Sequence, residues 1–168
     1  ILRVDEKAFT PVYTCSVFES CGPVRFAKGN QRLYMITNKG DTDLTRLVLF
    51  NPTTRAEEVV ESDPMNRVDF GNAIFSDVTD ELIATVYEDE RTRLSFKNKS
   101  WEADYKHVQS KLPGRDIDIA GSTNDENLLM LVASSDTEPG ARYLFNRKTK
   151  ELTHLYTVFE KLPRAALA

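Results

Sequence analysis

The sequence has little of what most catalytic signatures require. Its seven glycines are Gly22, Gly29, Gly40, Gly71, Gly114, Gly121 and Gly140. No two fall at the spacing of G-x-S-x-G, G-x-G-x-x-G or a P-loop, which excludes the usual nucleophile elbow and phosphate cradles. There are two histidines, His107 and His154. A Ser-His-Asp triad is assembled in space, so spacing leaves it open. His107, however, falls on the polar flank of an amphipathic segment and His154 on an edge-strand segment, and both read as surface residues. The two cysteines, Cys15 and Cys21, fit no C-x-x-C pattern. Two free thiols are the favoured reading, with a bridge across the turn at Gly22-Pro23 as the alternative, and the compartment stays undecided. No run approaches the roughly 18 apolar residues of a membrane span. No basic-then-apolar leader is visible, and Ile1 in place of Met suggests a processed or excised piece. An excess of positive charge is also missing: the net charge is −4, which argues against a nucleic-acid partner. The basic spot Arg147-Lys148-Thr149-Lys150 is flanked by acids and reads as a solvated turn.

What is present is ordinary soluble-protein composition, 40% hydrophobic and 29% charged over 168 residues, enough for one domain with a real core. The stretch 128–152 organises the rest. An apolar run, Leu128 to Ala133, meets a polar loop around Pro139-Gly140. Tyr143-Leu144-Phe145 follows, then the turn Asn146 to Lys150, then Leu152 to Tyr156. Short runs bounded by turn formers are successive hairpins. Upstream, Val24–Phe26, Leu33–Thr37, Leu47–Phe50 and Glu58–Glu61 make one such unit, closed by Asp63-Pro64. Ala73–Phe75, Leu82–Tyr87 and Arg93–Phe96 begin a second, and Ile117–Ile119 opens a third. Val12 to Phe18 reads as a strand of an element whose partners precede Ile1. Phe26 and Phe75 lie 49 residues apart, and Phe75 and Gly121 lie 46 apart, a period of the propeller kind. Between the second and third units, Trp101, Tyr105, Val108 and Leu112 share one helical face. Ser100 reads as N-cap and Pro113-Gly114 as the stop, giving a helix over 100–112 that supplements or replaces a fourth strand.

Leu47-Val48-Leu49-Phe50 and Leu128–Val132 read as apolar on both faces. An antiparallel sheet usually hides one face only, so such strands call for sheets stacked on either side. The expected fold is all-β: about three four-stranded antiparallel blades of an incomplete β-propeller with one short helix, a β-sandwich being the rival. Residues 1–22 would end a preceding blade, 23–68, 69–115 and 116–160 would be three blades, and 161–168 a linker. Three blades cannot close a ring, so the isolated chain is expected to expose apolar faces and self-associate.

No catalytic, cofactor-binding or metal-ligating set is legible, no cofactor is called for, and the substrate-binding residues stay unassigned. Asp41-Thr42-Asp43 lacks the downstream glycine and glutamate of a calcium loop and reads as a turn. Asn98-Lys99-Ser100 matches the glycosylation acceptor, but Ser100 is taken as a cap. The charged loop Glu88-Asp89-Glu90-Arg91-Thr92-Arg93 could anchor a peptide end, as could Asp136, Glu138 and Arg142 on the equivalent loop of the third unit. A solvated hairpin tip is the plainer reading of both.

Several phrases resemble the propeller of prolyl oligopeptidase-type serine peptidases, notably bacterial members akin to the acylaminoacyl and dipeptidyl peptidases. They are RLYMITNKGDTDLTRLVLFNPTT (32–54), DELIATVYEDERTR (80–93), WEADYKHVQSKLPG (101–114) and SSDTEPGARYLFNRKTKEL (134–152). The closing KLPRAALA resembles the junction to that family's α/β-hydrolase domain. The resemblance implies a parent that hydrolyses short peptides with a Ser-Asp-His triad on the hydrolase domain, the propeller limiting access. The implied partners are the peptide substrate and that hydrolase domain. No catalytic position carries over to this chain, which would be inactive by itself, and Glu88-Asp89-Glu90 has no firm register with the glutamates that bind the substrate amine in some relatives. A non-catalytic propeller-like interaction scaffold is the alternative, and a self-sufficient β-sandwich enzyme the third reading.

Overall fold

The turns carry the repeat more plainly than the strands do. Asn51 Oδ1 accepts the N–H groups of Thr53 and Thr54, and Arg55, four residues on, is left-handed with φ 61°. Asn146 does the same for Lys148 and Thr149, with Lys150 at φ 60°. Ser76 Oγ takes the place of the amide, accepting from Val78 and Thr79, with Asp80 at φ 60°. A side-chain oxygen that imitates a backbone carbonyl tightens each turn and sends the chain back antiparallel.

The computed structural model describes residues 1–5, 8–40 and 42–161. They divide into two compact units, Ile1–Ile74 with Ala84–Ser95, and Phe75–Ile83 with Phe96–Ala168. The first unit holds a hairpin of β1 (Leu2–Asp5) and β2 (Ala8–Pro11). It also holds a four-stranded sheet in sequence order, β3 (Cys21–Phe26), β4 (Leu33–Thr37), β5 (Arg46–Phe50) and β6 (Glu57–Glu61). A three-stranded sheet, β7 (Asn72–Phe75), β8 (Leu82–Glu88) and β9 (Thr92–Phe96), contributes residues to both units. The second unit carries helix α1 (Lys99–Lys111) and the sheet β10 (Asp116–Ser122), β11 (Leu128–Ser135), β12 (Glu138–Asn146) and β13 (Glu151–Thr157). The helix comes where the second sheet would have a fourth strand.

Leu47, Val48, Leu49 and Phe50 are all buried, so β5 is covered on both faces. Tyr13 supplies part of that cover, packing with Leu33, Met35, Val48 and Phe50, its ring edge-on to Phe50 at 5.0 Å. β11 differs from the expectation for Leu128–Val132: Leu129 and Leu131 are buried while Met130 is exposed. One face of β11 meets α1 through Trp101 and Val108, and on the other Leu128 and Val132 are partly buried while Met130 is exposed. Gly71 is fixed by contact, because a Cβ there would meet the Val86 carbonyl oxygen at 2.8 Å.

Four local expectations are corrected. Val12–Phe18 is not a strand. Glu19 N–H donates to Ser16 O at 3.2 Å and Ser16 N–H to Glu19 Oε2 at 2.7 Å, so a side-chain-closed turn replaces the ladder. Cys15 and Cys21 are bridged, with Cα atoms 6.4 Å apart, rather than free. Gly22-Pro23 and Pro139-Gly140 lie inside β3 and β12, not in turns. The β3–β4 register shifts just after Pro23, and Pro139 faces the shift between Ala133 and Ser135. A residue with no N–H costs a ladder nothing at such a place. Finally, the N-cap of α1 is Asn98, whose side chain accepts from Ser100 and Trp101 N–H.

Candidate functional site

Antiparallel order puts the turn between a sheet's second and third strands at the same end as the connection that leaves its last strand. In the first unit that end gathers three segments: the β4–β5 turn, the connection after β6 and the β8–β9 turn. The connection is built around Asp63. Its carboxylate accepts from Met65 N at 3.1 Å, Arg67 N at 2.9 Å and Val68 N at 3.2 Å. Arg93 closes on the same group with two parallel bonds of 3.0 Å each. The Asp63 side chain is fully shielded from solvent. The Arg93 guanidinium first, aided by those backbone donors, holds its carboxyl well below the usual carboxylate range, and Asp63 in turn raises Arg93. Arg93 Nε also donates to Asp89 at 3.1 Å, and Arg67 pairs with the other Asp89 oxygen at 3.2 Å. Beneath them the buried Tyr87 donates to Ser62 O at 3.0 Å, and burial pushes its phenol up to about 12.

The loop Glu88–Arg93 therefore turns two of its charges, Asp89 and Arg93, inward. Asp89 and Arg93 bind the neighbouring connection, and Glu88 accepts from Thr92 Oγ1. Glu90 and Arg91 remain exposed. Sequence reasoning singled out this loop and missed its partner. The available signal was Asp63-Pro64: an Asp whose side chain can close an Asx turn beside a residue without an N–H.

Against this cluster lies an open pocket of about 450 Å³, lined by Thr42, Asp43, Arg46, Ser62, Asn66 and Arg67 among others. Arg46 is the unusual member. Its Nε–H is buried without an acceptor among the described residues, and Glu57 Oε1 stands 3.8 Å from its Nη2. The other Glu57 oxygen accepts from Tyr13 Oη at 2.7 Å. The Tyr13 phenol is pushed up to about 12, by burial first.

The candidates of the second unit do not converge. Glu138 pairs with Arg115 at 2.7 Å, and Arg115 reaches Tyr143 Oη at 3.4 Å. Asp136 is exposed and Arg142 partly buried. His107 Nε2 donates to the Lys150 carbonyl at 3.2 Å, while His154, on the edge strand β13, sits 3.0 Å from Thr157 Oγ1. The helix presents a buried acid instead: Asp104 is held by Arg147 Nε at 2.7 Å and by Lys150 Nζ. Asn98 of the glycosylation match is the helix cap. Asp41 lies outside the described residues, as does the 162–168 part of the expected linker. Among the described residues no group of three His, Cys, Asp or Glu side chains could hold a metal ion, and no helix is long and apolar enough to cross a membrane.

These sequential up-and-down sheets define the class: an all-β chain, with one short helix, forming part of a β-propeller. The chain is also similar in fold to a solved structure. Over 96% of its length the chain matches a prolyl endopeptidase with a TM-score of 0.60 at 15% identity. That enzyme belongs to a structural and mechanistic study of two prolyl endopeptidases and the role of inter-domain dynamics in catalysis and specificity. The chain spans 23% of the enzyme's length. No protein-family model matches the chain, and no curated protein matches it.

Proposed function

We propose that this chain is part of the propeller of a prolyl oligopeptidase-type serine peptidase, one that restricts access of short peptides to a hydrolase domain carrying the triad. The single observation that supports the reading is the fold match to a prolyl endopeptidase along 96% of the chain. In this reading residues 23–68, 69–115 and 116–160 are successive blades, 1–22 completes a preceding one, and 161–168 leads to the hydrolase domain. The chain alone is inactive and its partners are that domain and the parent's peptide substrate. The test is the coding sequence beyond residue 168: an in-frame α/β-hydrolase with a G-x-S-x-G elbow is expected. A stop codon or an unrelated domain would favour a non-catalytic interaction scaffold. A serine-directed phosphonate should leave the 168-residue chain unlabelled, and labelling would overturn the assignment of the chemistry to another domain.

Self-association of the isolated chain belongs to the same proposal. Phe9, Val17, Phe18, Tyr156 and Phe159 are all more than half exposed, and apolar surface of this kind drives association. Sedimentation velocity across a hundredfold concentration range should show a rising weight-average mass. A constant monomer mass would count against it.

A further inference from the structure

The two faces of the second unit's sheet are covered unequally. Side chains alternate along a strand, and Leu129, Leu131, Ala133, Ala141 and Phe145 are buried on the face that meets α1. On the opposite face Met130 is 43% and Tyr156 51% exposed, with Val132 and Leu144 partly buried beside them. The register lines up one row across the four strands. Asp118 on β10 faces Val132 on β11, Val132 faces Arg142 on β12, and Arg142 faces Tyr156 on β13. Arg142 lies over this face: a Cβ added to Gly140 would meet both its Nη1, at 3.4 Å, and Val132 Cγ1, at 3.7 Å. Arg142 makes no ion pair among the described residues, whereas Asp118 is exposed and already has an interaction within its own chain.

That row is self-complementary. A two-fold axis running along β11, between two such faces, sets Met130 and Val132 on their own counterparts and carries β10 of one copy to β12 of the other. Asp118 then stands opposite Arg142 twice, on either side of an apolar strip. Both charges lie one strand, about 4.8 Å, from that axis. The roughly 30° between packed sheets therefore displaces them by only about 2–3 Å, within the reach of an arginine. We propose that this face joins two copies of the chain, with Met130 and Val132 at the centre and two Asp118–Arg142 pairs flanking them. The inference rests on the self-association reading and names its surface. Four strands of about seven residues offer on the order of 400 Å² per copy. That is below the standard size of specific interfaces, so the dimer is expected to be weak, dissociating in the micromolar range.

The test is sedimentation velocity of the full 168-residue chain over a wide concentration range at constant ionic strength, with charge-reversed variants beside it. Arg142→Asp should weaken association about tenfold or more, because it sets like charges opposite each other at both flanks. Asp118→Arg should do the same. Mixed in equal amounts, the two variants should associate within about threefold of the wild-type strength, since each supplies the charge the other lacks. Rescue by mixing requires both variants to be folded, so misfolding does not imitate it. Met130→Arg should weaken association at least as much, by burying a charge at the centre of the interface. A wild-type chain that stays monomeric at every concentration would overturn the self-association reading together with the surface, leaving the face to another occupant. A wild-type chain that associates while Arg142→Asp associates equally well would overturn the surface alone. So would a mixture that associates no more tightly than either variant by itself.

Discussion

Each unit buries one aspartate among cations, and the two are built differently. Asp63 in the first unit accepts three backbone N–H groups as well as the Arg93 fork. Asp104 in the second is met by two side chains, Arg147 and Lys150, and Lys150 is half exposed. The first carboxylate therefore shapes a stretch of main chain, whereas the second fastens a helix to the turn between β12 and β13. Arg147 would keep partners without Asp104: the Trp101 ring at 3.9 Å and the Glu126 carbonyl at 3.2 Å. Arg93 would keep Asp89 but lose its two-bond partner. Fully enclosed charge is worth most where its loss strands the most donors.

That contrast sets the order of effects. Asp63→Ala should cost about 3–5 kcal/mol in urea unfolding, the cost of breaking a buried pair, because three N–H groups and Arg93 all lose their acceptor. Asp104→Ala should cost less, about 2 kcal/mol, since only side-chain donors are released and one of them already meets water. Equal costs would dissolve the comparison, and a larger cost at Asp104 would reverse it. Acid sharpens it further. The folded Asp63 carboxyl is lowered below its unfolded value, so its stabilisation is full above about pH 4 and fades as pH falls through the lowered folded value. Asp63→Asn should accordingly flatten the loss of stability below pH 4, whereas a slope unchanged from the parent chain would show the protonation to lie elsewhere. Next comes the Cys15–Cys21 bridge, which closes a loop of only a few residues. Reduction should cost about 2 kcal/mol or less, read as a drop in the urea midpoint with a thiol reductant present.

Much of the fold was legible because hairpin strands and their turns are local. The Asn51, Ser76 and Asn146 turns announce themselves by residue type, and Leu47–Phe50 declares two covered faces by having no polar position. Proline misled for a physical reason. Pro23 and Pro139 signal a missing N–H, and a register shift inside a strand tolerates that as readily as a turn does. The bridge and the Asp63–Arg93 pair were not legible. A Cys spacing does not fix Cα separation, and residues 30 apart meet only once two sheets are in place. The loop Glu88–Arg93 stands out in the sequence by its charges, yet charge alone does not say whether the side chains point inward. At Asp89 and Arg93 they do.

The helix start offers the smallest and cleanest test of the second unit. Ser100 has a good capping side chain and precedes the apolar face, so it reads as the cap from sequence. Asn98 holds that place instead, accepting from Ser100 N at 3.0 Å and Trp101 N at 3.3 Å. Ser100 lies inside the first turn, where its hydroxyl accepts from Arg147 at 3.4 Å. Asn98→Ala should therefore cost about 1 kcal/mol by thermal unfolding, the usual effect of deleting a cap. Ser100→Ala should stay within about 0.5 kcal/mol, since an exposed position loses one long contact and gains the better helix former. The reverse ranking would move the cap to Ser100 and start the helix two residues later. It would also leave Trp101 in the first turn without the Asn98 side-chain bond that now orders its backbone beneath Arg147.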